Sequence, residues 1–317
     1  RIPILTTNKQ QLIMRIAIID LGTNTFHLLI ADISKSKAPT MVFQETRVVK
    51  LGEGGISKGR IIQSAFERGV KALKKFHAEI QHYEPDTIRA VATSAVRTAS
   101  NGQEFIQKVR SETGINPQII DGDQEAQFIY QGVRKAVQMP DNSLVIAIGG
   151  GSVEFIICNH DQIFWKKSYS VGAARLMEQF HHSDPISETD SKALYHFLED
   201  TLADLKQELA FYKPSVMIGS AGAFETFAEL ADPPFHGTFQ DAEYTFDLNE
   251  FQSMSNRLLR SSHKERFLMP EIIPVRVDMI VVATLLIRYL LEISGAKSFK
   301  LSAYSLKEGL LFDSIEE

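Results

Sequence analysis

The sequence predicts an α/β protein built from two similar domains, and three observations support this prediction. An apolar segment, 16–33, is interrupted by a turn of small residues, as is typical of two buried strands joined by a tight hairpin. A second segment, 145–157, repeats this strand, loop and strand pattern 127 residues later when Gly22 is aligned with Gly149. The 317 residues also exceed what one core usually covers, because domains contain roughly 100 to 200 residues.

The two hairpin loops have the composition of anion-binding loops. Small residues leave backbone N–H groups accessible to a phosphate, and hydroxyl and amide side chains add further donors. For an isolated hairpin, an ordinary glycine turn is the better explanation, but two copies favour loops that face each other and clamp a phosphate chain. The candidate phosphate-binding residues are Gly22, Thr23, Asn24 and Thr25 in the first loop and Gly149, Gly150, Gly151 and Ser152 in the second. Asp20, at the rim of the first loop, could hold a divalent cation.

Composition and charge exclude several classes of protein. Hydrophobic residues make up 44% and charged residues 23% of the chain, and the net charge is −5, which argues against non-specific binding to double-stranded nucleic acid or to an anionic membrane. The single cysteine, Cys158, excludes an intramolecular disulfide framework and fits a reducing cytoplasm. The apolar segment 275–293 contains Asp278, Arg288 and Glu292, so we expect a buried helix rather than a membrane span.

The remaining elements follow from periodicity and from turn residues. Apolar residues recur every three or four positions from Phe66 to Ile80, which predicts an amphipathic helix. We expect strands at 41–49, 87–92, 115–120, 215–219 and 299–302, helices ending near Gly114 and starting at Asp121 and Leu306, and a largely helical stretch between 219 and 299. The predicted domains are 14–127 and 128–317, with the terminal helix packing back on the first domain. Residues 1–13 are expected to be an extension, with Met14 a natural start.

Several polar residues near predicted strand ends have a functional and a structural interpretation. Arg97 is either a solvated helix residue or a phosphate ligand at the edge where α/β sheets bind ligands. Helix capping explains Asp121 and Asp123 well, but Glu125 lies one turn further in, where a carboxylate could reach a water aimed at a phosphate. The amides at Gly219 and Ser220 could line the cleft from the second domain.

Other polar residues give a weaker signal. Arg175, with Lys166 and Lys167, either extends a basic floor or belongs to a surface strand and its following helix. The pair His181 and His182 lacks a third ligand at a recognisable spacing, so a solvated pair is favoured over a zinc site.

Five motifs in register give the chain a resemblance to a known family. From Arg15 to about Gly309 the chain resembles the exopolyphosphatase and guanosine pentaphosphate phosphohydrolase (Ppx/GppA) family, through DLGTNT at 20–25, ATSAVR at 92–97, DGDQEA at 121–126, GGGSVE at 149–154 and GSAGA at 219–223. The resemblance implies the duplicated actin-like, ribonuclease H-like fold with a phosphate cleft between the domains. It also implies Mg²⁺ as cofactor, polyphosphate or guanosine pentaphosphate as substrate, and the homodimers common among relatives, although no segment here identifies an interface.

The same resemblance assigns roles to individual residues. Asp20 matches the metal-associated aspartate, Arg97 the arginine that contacts phosphate, and Glu125 the glutamate that activates water. Glu154 matches the closing acid of the second loop and is the second metal candidate. Lys50, a further phosphate-binding candidate, stands where an arginine is common and keeps the charge without the bidentate geometry; Lys307 does the same near the end of the chain.

One departure from the family pattern affects the metal site. The second loop usually begins with an aspartate, and Ala147 occupies that position here, while Val153 replaces a threonine. Magnesium often takes only one or two carboxylates, so Asp20 and Glu154 are the remaining ligand candidates.

Three functional hypotheses follow. The first is hydrolysis of a terminal phosphate from polyphosphate or guanosine pentaphosphate, with Glu125 as the base. The second, motivated by Ala147, is a phosphate-binding sensor with little turnover. The third is a small-molecule kinase of the same wider fold, which is disfavoured because GDQEA at 122–126 matches the hydrolases.

Overall fold

A computed structural model describes residues 13–220, 222–234 and 242–316 of the chain. The predicted extension at 1–13 lies outside this part, apart from Ile13. Among the described helices, none combines the length and the apolar character that crossing a bilayer requires.

The first sheet is built around the first hairpin. Its strands are β1 (Met14–Leu21), β2 (Thr25–Ser34), β3 (Lys37–Val48), β4 (Thr87–Ala92) and β5 (Gln118–Ile119). Their order is β3-β2-β1-β4-β5. The first three form an antiparallel meander, and β4 then joins β1 in parallel, so that Asp20 is paired with His27 on one side and Val91 on the other.

The second sheet repeats the same arrangement. Its strands are β6 (Ser143–Ile148), β7 (Val153–Cys158), β8 (Ile163–Tyr169), β9 (Val216–Ser220), β10 (Glu243–Phe246) and β11 (Ser298–Ser302), in the order β10-β11-β9-β6-β7-β8. Ala147 is paired with Glu154 and Ser220, as Asp20 is with His27 and Val91. The predicted α/β, duplicated ribonuclease H-like fold is therefore confirmed.

Twelve described helices cover and connect the sheets. In the first half they are α1 (Gln63–Tyr83), α2 (Ser94–Arg97), α3 (Gly102–Thr113) and α4 (Gly122–Ala136), with a 3-10 helix at Ile56–Lys58. In the second half they are α5 (Ala173–Phe180), α6 (Glu188–Thr201), α7 (Ala203–Tyr212), α8 (Gly222–Ala231), α9 (Leu248–Arg260), α10 (His263–Phe267), α11 (Met279–Ser294) and α12 (Leu306–Glu316).

Three hydrophobic cores show how these layers stack. One core lies between the first sheet and helices α1 and α3, and another lies between the second sheet and helices α5 to α9 and α11. The third lies between the two sheets and contains the apolar faces of α4 and α12. The predicted boundary at 127 and 128 falls inside α4, and the terminal helix α12 packs on α4 and β1.

Helices α4 and α12 approach each other closely because Gly309 has no side chain. A Cβ atom placed on Gly309 would lie 1.7 Å from the carbonyl oxygen of Phe128. Backbone therefore packs directly against backbone where the two helices cross between the sheets.

The structure departs from the predicted elements in several places. The strand expected at 115–120 is short, because only Gln118–Ile119 pairs with β4 and forms β5. The stretch between 219 and 299 is not helical throughout, because it contains strand β10, whose four residues are too few for a strand pattern to be recognised. Helix α11 begins at Met279 rather than at 275. Val275 and Val277 lie in the preceding turn, and they are apolar because they are buried there, not because they belong to the helix.

Candidate active site

The candidate site lies where the facing surfaces of the two sheets end. Side chains alternate along a strand, so residues two apart share a face. On β1, Ile16 and Ile18 belong to the core between the sheets, and Asp20 is the next residue on that face. On β7, Ile156 and Cys158 belong to the same core, and Glu154 is next on that face. Both carboxylates therefore extend from one interdomain core into one cleft.

Each loop is closed by the same hydrogen bond. The amide of Gly22 donates to the carbonyl of Thr25 at 3.1 Å, and the amide of Gly149 donates to that of Ser152 at 3.0 Å. Within the described residues, the amides at positions 23, 24, 150 and 151 have no hydrogen-bond acceptor in the protein. These N–H groups are therefore available to an anion.

The two loops face each other directly. A Cβ atom placed on Gly150 would lie 2.4 Å from Nδ2 of Asn24 and 3.0 Å from Cβ of Thr23, so only glycine allows this approach. The same Nδ2 donates to the Met279 sulfur at 3.1 Å, and a thioether is a weak acceptor that a phosphate oxygen can replace. The loops line a cavity of about 200 Å³ together with Asp20, Glu125 and Glu154.

Asp20 is the most exceptional carboxylate of the cleft. Its Oδ1 is buried and has no hydrogen-bond partner among the residues that the structure describes. Burial and the charge of Glu125 raise the pKa of Asp20 to about 7, against the opposing effect of Lys307. Burial and Glu125 likewise raise the pKa of Glu154 to about 8, although Ser152 and Ser168 donate hydrogen bonds to it. Such groups are costly to bury without a cation.

Glu125 is held by Arg97. It lies in the first turn of α4, where its buried carboxylate accepts a hydrogen bond of 2.8 Å from Nη1 of Arg97. The same nitrogen donates to the carbonyl of Ile120 at 2.9 Å. Burial raises the pKa of Glu125, and Arg97 opposes this rise. Arg97 therefore supports Glu125 from behind and is not among the residues lining the cavity.

The other predicted phosphate ligands are not all in the cleft. Ser220 lines it, but its hydroxyl donates to the Tyr304 carbonyl at 3.2 Å. Gly219 packs against the Phe224 ring and does not line the cavity, while Ala221 lies outside the described residues. Lys50 lines an adjoining cavity of about 320 Å³ and not the cleft itself.

Three titratable residues that line the cleft, Arg276, Glu225 and His27, were not identified from the sequence. Arg276 lines the cleft and donates at 3.0 Å both to Glu225, another lining residue, and to Thr226. His27 also lines it, and burial, followed by the charges of Lys307 and Arg276, lowers the pKa of His27 to about 3. No pattern in the neighbouring sequence distinguishes solitary charged residues such as Arg276 and Glu225 as site residues. His27 could have been found, because the strand alternation that places Asp20 at the cleft also places His27 there.

Lys307 is a buried cation of the cleft. Burial lowers its pKa, but the carboxylates of Glu308, Glu225 and Asp20 together raise it above the ordinary value. Its ammonium lies 2.8 Å from Glu308. Lys307 and Arg276 therefore supply the positive side chains that line the cavity.

Arg175 connects the second loop to the first domain. Its guanidinium donates to the carbonyls of Gly151 at 3.0 Å and Ile56 at 3.1 Å, and to the Thr98 hydroxyl at 3.3 Å. It does not line the cleft, and neither do Lys166 and Lys167. The residues suggested as a basic floor are thus occupied by contacts within the protein.

The side chains that line the cleft offer carboxylate oxygens, which are the ligands that magnesium requires. Among the residues that the structure describes, four carboxylates (Asp20, Glu125, Glu154 and Glu225) and two cations (Arg276 and Lys307) line the cavity, so acidic side chains are in excess there. Within the described residues no three Asp, Glu, His or Cys side chains are grouped as a complete metal site. Because magnesium usually completes its shell with waters and substrate phosphates, the unpartnered Oδ1 of Asp20 fits this ion.

Comparisons with known proteins agree with this geometry. Residues 29–317 match the Ppx/GppA phosphatase family. The crystal structure of an exopolyphosphatase from Cytophaga hutchinsonii is 38% identical, with a TM-score of 0.92, over 95% of this chain and 98% of that one. The Aquifex aeolicus member of the Ppx/GppA family is 25% identical, with a TM-score of 0.81, over 96% and 98% of the two chains. The chain belongs to the Ppx/GppA phosphatase family.

Proposed function

We propose that the protein hydrolyses the terminal phosphoanhydride bond of inorganic polyphosphate or guanosine pentaphosphate. One observation carries this proposal: two glycine loops face each other with amides that have no acceptor in the described part of the chain, and the buried carboxylate of Glu125 lies in the same cavity. A terminal phosphate bound between the loops would be held by backbone donors from both domains.

Glu125 is the base in this proposal. Its raised pKa makes it a stronger proton acceptor than an ordinary carboxylate, and the hydrogen bond from Arg97 fixes its orientation. It takes a proton from the water that attacks the terminal phosphorus, and the remaining phosphate chain leaves. Arg276 and Lys307 offset the charge of the phosphates in the cleft.

Asp20 and Glu154, which line the same cavity, would hold magnesium. When bound, this ion neutralises phosphate charge and fixes the phosphates relative to the loops. The raised pKa values of these two carboxylates mean that burial favours their protonated forms. A bound cation would replace the protons and stabilise the ionised carboxylates inside the cleft.

The test compares Glu125→Gln with Asp123→Asn. Both remove a carboxylate from the first turn of α4, but Asp123 is exposed and does not line the cleft. Phosphate release from polyphosphate and from guanosine pentaphosphate should fall about a thousandfold in Glu125→Gln and stay within twofold in Asp123→Asn. Equal rates for wild type and Glu125→Gln would remove Glu125 from its role.

A second candidate function is a sensor that binds phosphate chains with little turnover. Ala147, which lies in the cleft wall opposite Glu154, favours it because the second loop has no carboxylate at its start. Calorimetry showing tight binding of polyphosphate or guanosine pentaphosphate, together with negligible release of phosphate, would support the sensor over the hydrolase.

A further inference from the structure

His27 links the first loop to the outer strand of its sheet. Strand pairing places His27 opposite Asp20 on β1 and opposite Thr46 on β3. Its Nε2 lies 3.0 Å from the hydroxyl oxygen of Thr25, the last residue of the loop, and its Nδ1 lies 3.0 Å from the hydroxyl oxygen of Thr46. Both ring nitrogens are therefore engaged by hydroxyl groups, although the ring itself lines the cleft.

The second domain contains the same arrangement 127 residues later. Glu154 is opposite Ala147 on β6 and Ser168 on β8. The Ser168 hydroxyl donates to Oε1 of Glu154 at 2.7 Å, and the hydroxyl of the loop residue Ser152 also donates to this carboxylate. In both domains, a polar side chain on the middle strand of the meander thus contacts two hydroxyl groups. One belongs to the last residue of the loop, and the other belongs to the outer strand.

The two middle residues direct their loop hydroxyls differently. A hydroxyl group has one hydrogen, and Ser152 donates its hydrogen to the carboxyl group of Glu154. A neutral imidazole has one N–H and one acceptor nitrogen. If the N–H is on Nε2, it donates to the Thr25 oxygen and leaves the hydrogen of that hydroxyl free for another acceptor. Phosphate oxygens need such a donor.

We propose that His27 is a positioning residue for phosphate binding, an inference that rests on the proposed function of the cleft. Its Nε2–H donates to Thr25, its Nδ1 accepts from Thr46, and the Thr25 hydroxyl consequently donates to a phosphate oxygen. The first loop thereby offers a hydroxyl hydrogen to the phosphate, whereas Ser152 in the second loop offers the lone pairs of its hydroxyl oxygen.

The test measures binding of inorganic phosphate by calorimetry and turnover separately. His27→Leu keeps an apolar side chain of similar size without donors, and should weaken phosphate binding and raise KM about five- to tenfold while kcat falls less than threefold. His27→Gln, whose amide can donate to Thr25, should restore both values to within twofold of wild type. Thr25→Val should match His27→Leu, and the double variant should be no worse than either.

Several results would overturn the inference. These are unchanged phosphate binding in His27→Leu, effects of His27→Leu and Thr25→Val that multiply in the double variant, or failure of His27→Gln to restore binding. Should the variants not fold, nitrogen NMR of the wild-type histidines decides, because the Nε2–H tautomer of His27 is required and the Nδ1–H tautomer contradicts it. Absence of turnover in the wild type would reject the proposed hydrolase. The measurements of phosphate binding and of the tautomer test the role of His27 independently of turnover.

Discussion

The two loops have the same backbone arrangement, but their carboxylates lie on different strands of the hairpin. Both are closed by a hydrogen bond of about 3 Å between their first glycine amide and their last carbonyl. In the first domain the carboxylate is Asp20, on the strand that enters the loop, and His27 is opposite. In the second domain Ala147 is on the entering strand and Glu154 is opposite. The duplicated backbone therefore provides the phosphate cradle, while the chemistry differs between its halves.

Ala147 belongs to the apolar core between the sheets, with Val145 and Ile156. Asp20, in the equivalent position, is in contrast left with a buried oxygen that has no partner in the described part of the chain. We therefore propose that a cation binds mainly at the first loop, whereas the second loop contributes mainly backbone donors. Four experiments test this difference between the loops.

The largest effect is expected for Asp20→Ala, which makes the first loop like the second. Phosphate release should fall at least about a hundredfold, because the proposed cation site would lose its main ligand. Asp32→Asn, on β2 and paired with Arg15 away from the cleft, is the control and should retain wild-type rates. A rate for Asp20→Ala within threefold of wild type would assign the cation to Glu154 instead.

Stability against pH gives the next largest effect. Metal-free folded protein keeps a proton on Asp20 up to about pH 7, whereas the unfolded chain releases it near 3.8. The unfolding free energy should therefore fall as pH rises between these values, by up to about 1.4 kcal/mol per pH unit for this group. In urea denaturation with a chelator, Asp20→Asn should be more stable than wild type at pH 8 and equal to it below pH 4. Equal curves at pH 8 would contradict this.

Ala147→Asp restores symmetry between the loops. One more carboxylate should tighten magnesium binding about tenfold, as measured by calorimetry. Without metal the variant should be less stable than wild type at pH 8, because position 147 is 7% exposed and already close to the acid cluster. If the variant also releases phosphate faster than wild type, the missing carboxylate at position 147 explains the low turnover that the sensor hypothesis assumes. Unchanged magnesium affinity would show that a side chain at position 147 cannot reach the cation.

The smallest effect is expected for Arg175→Lys. A lysine cannot donate simultaneously to Gly151, Ile56 and Thr98, so the second loop should be held less firmly against the first domain. Loss of one such hydrogen bond is worth about 1 kcal/mol, and KM should rise about threefold with kcat unchanged. A fall in kcat without a change in KM would place Arg175 in catalysis.

The sequence predicted the fold well because its two hairpins are local and repeated. Each needs only neighbouring residues to be recognised, and the offset of 127 residues reproduces the paired positions in the sheets, such as 20 with 27 and 147 with 154. The edge strand β10 was missed because it has only four residues and because its pairing partner, β11, lies more than fifty residues away.

The site was predictable only where motif residues contribute to it. Asp20, Glu125 and Glu154 line one cavity, as their motifs suggest. The position of Arg97 behind Glu125 depends on how α2 and α4 pack, which no spacing along the chain encodes. Arg276 reaches the cleft from the turn before α11, where a single arginine resembles any other surface residue.

The contact between Gly309 and the Phe128 backbone has an evolutionary consequence. The two halves of the molecule can differ in their acids and hydroxyls, as the loops do, yet α12 cannot gain even a methyl group at position 309. Descendant sequences are consequently free to alter reactivity on the loops, while position 309 stays fixed unless both helices shift together.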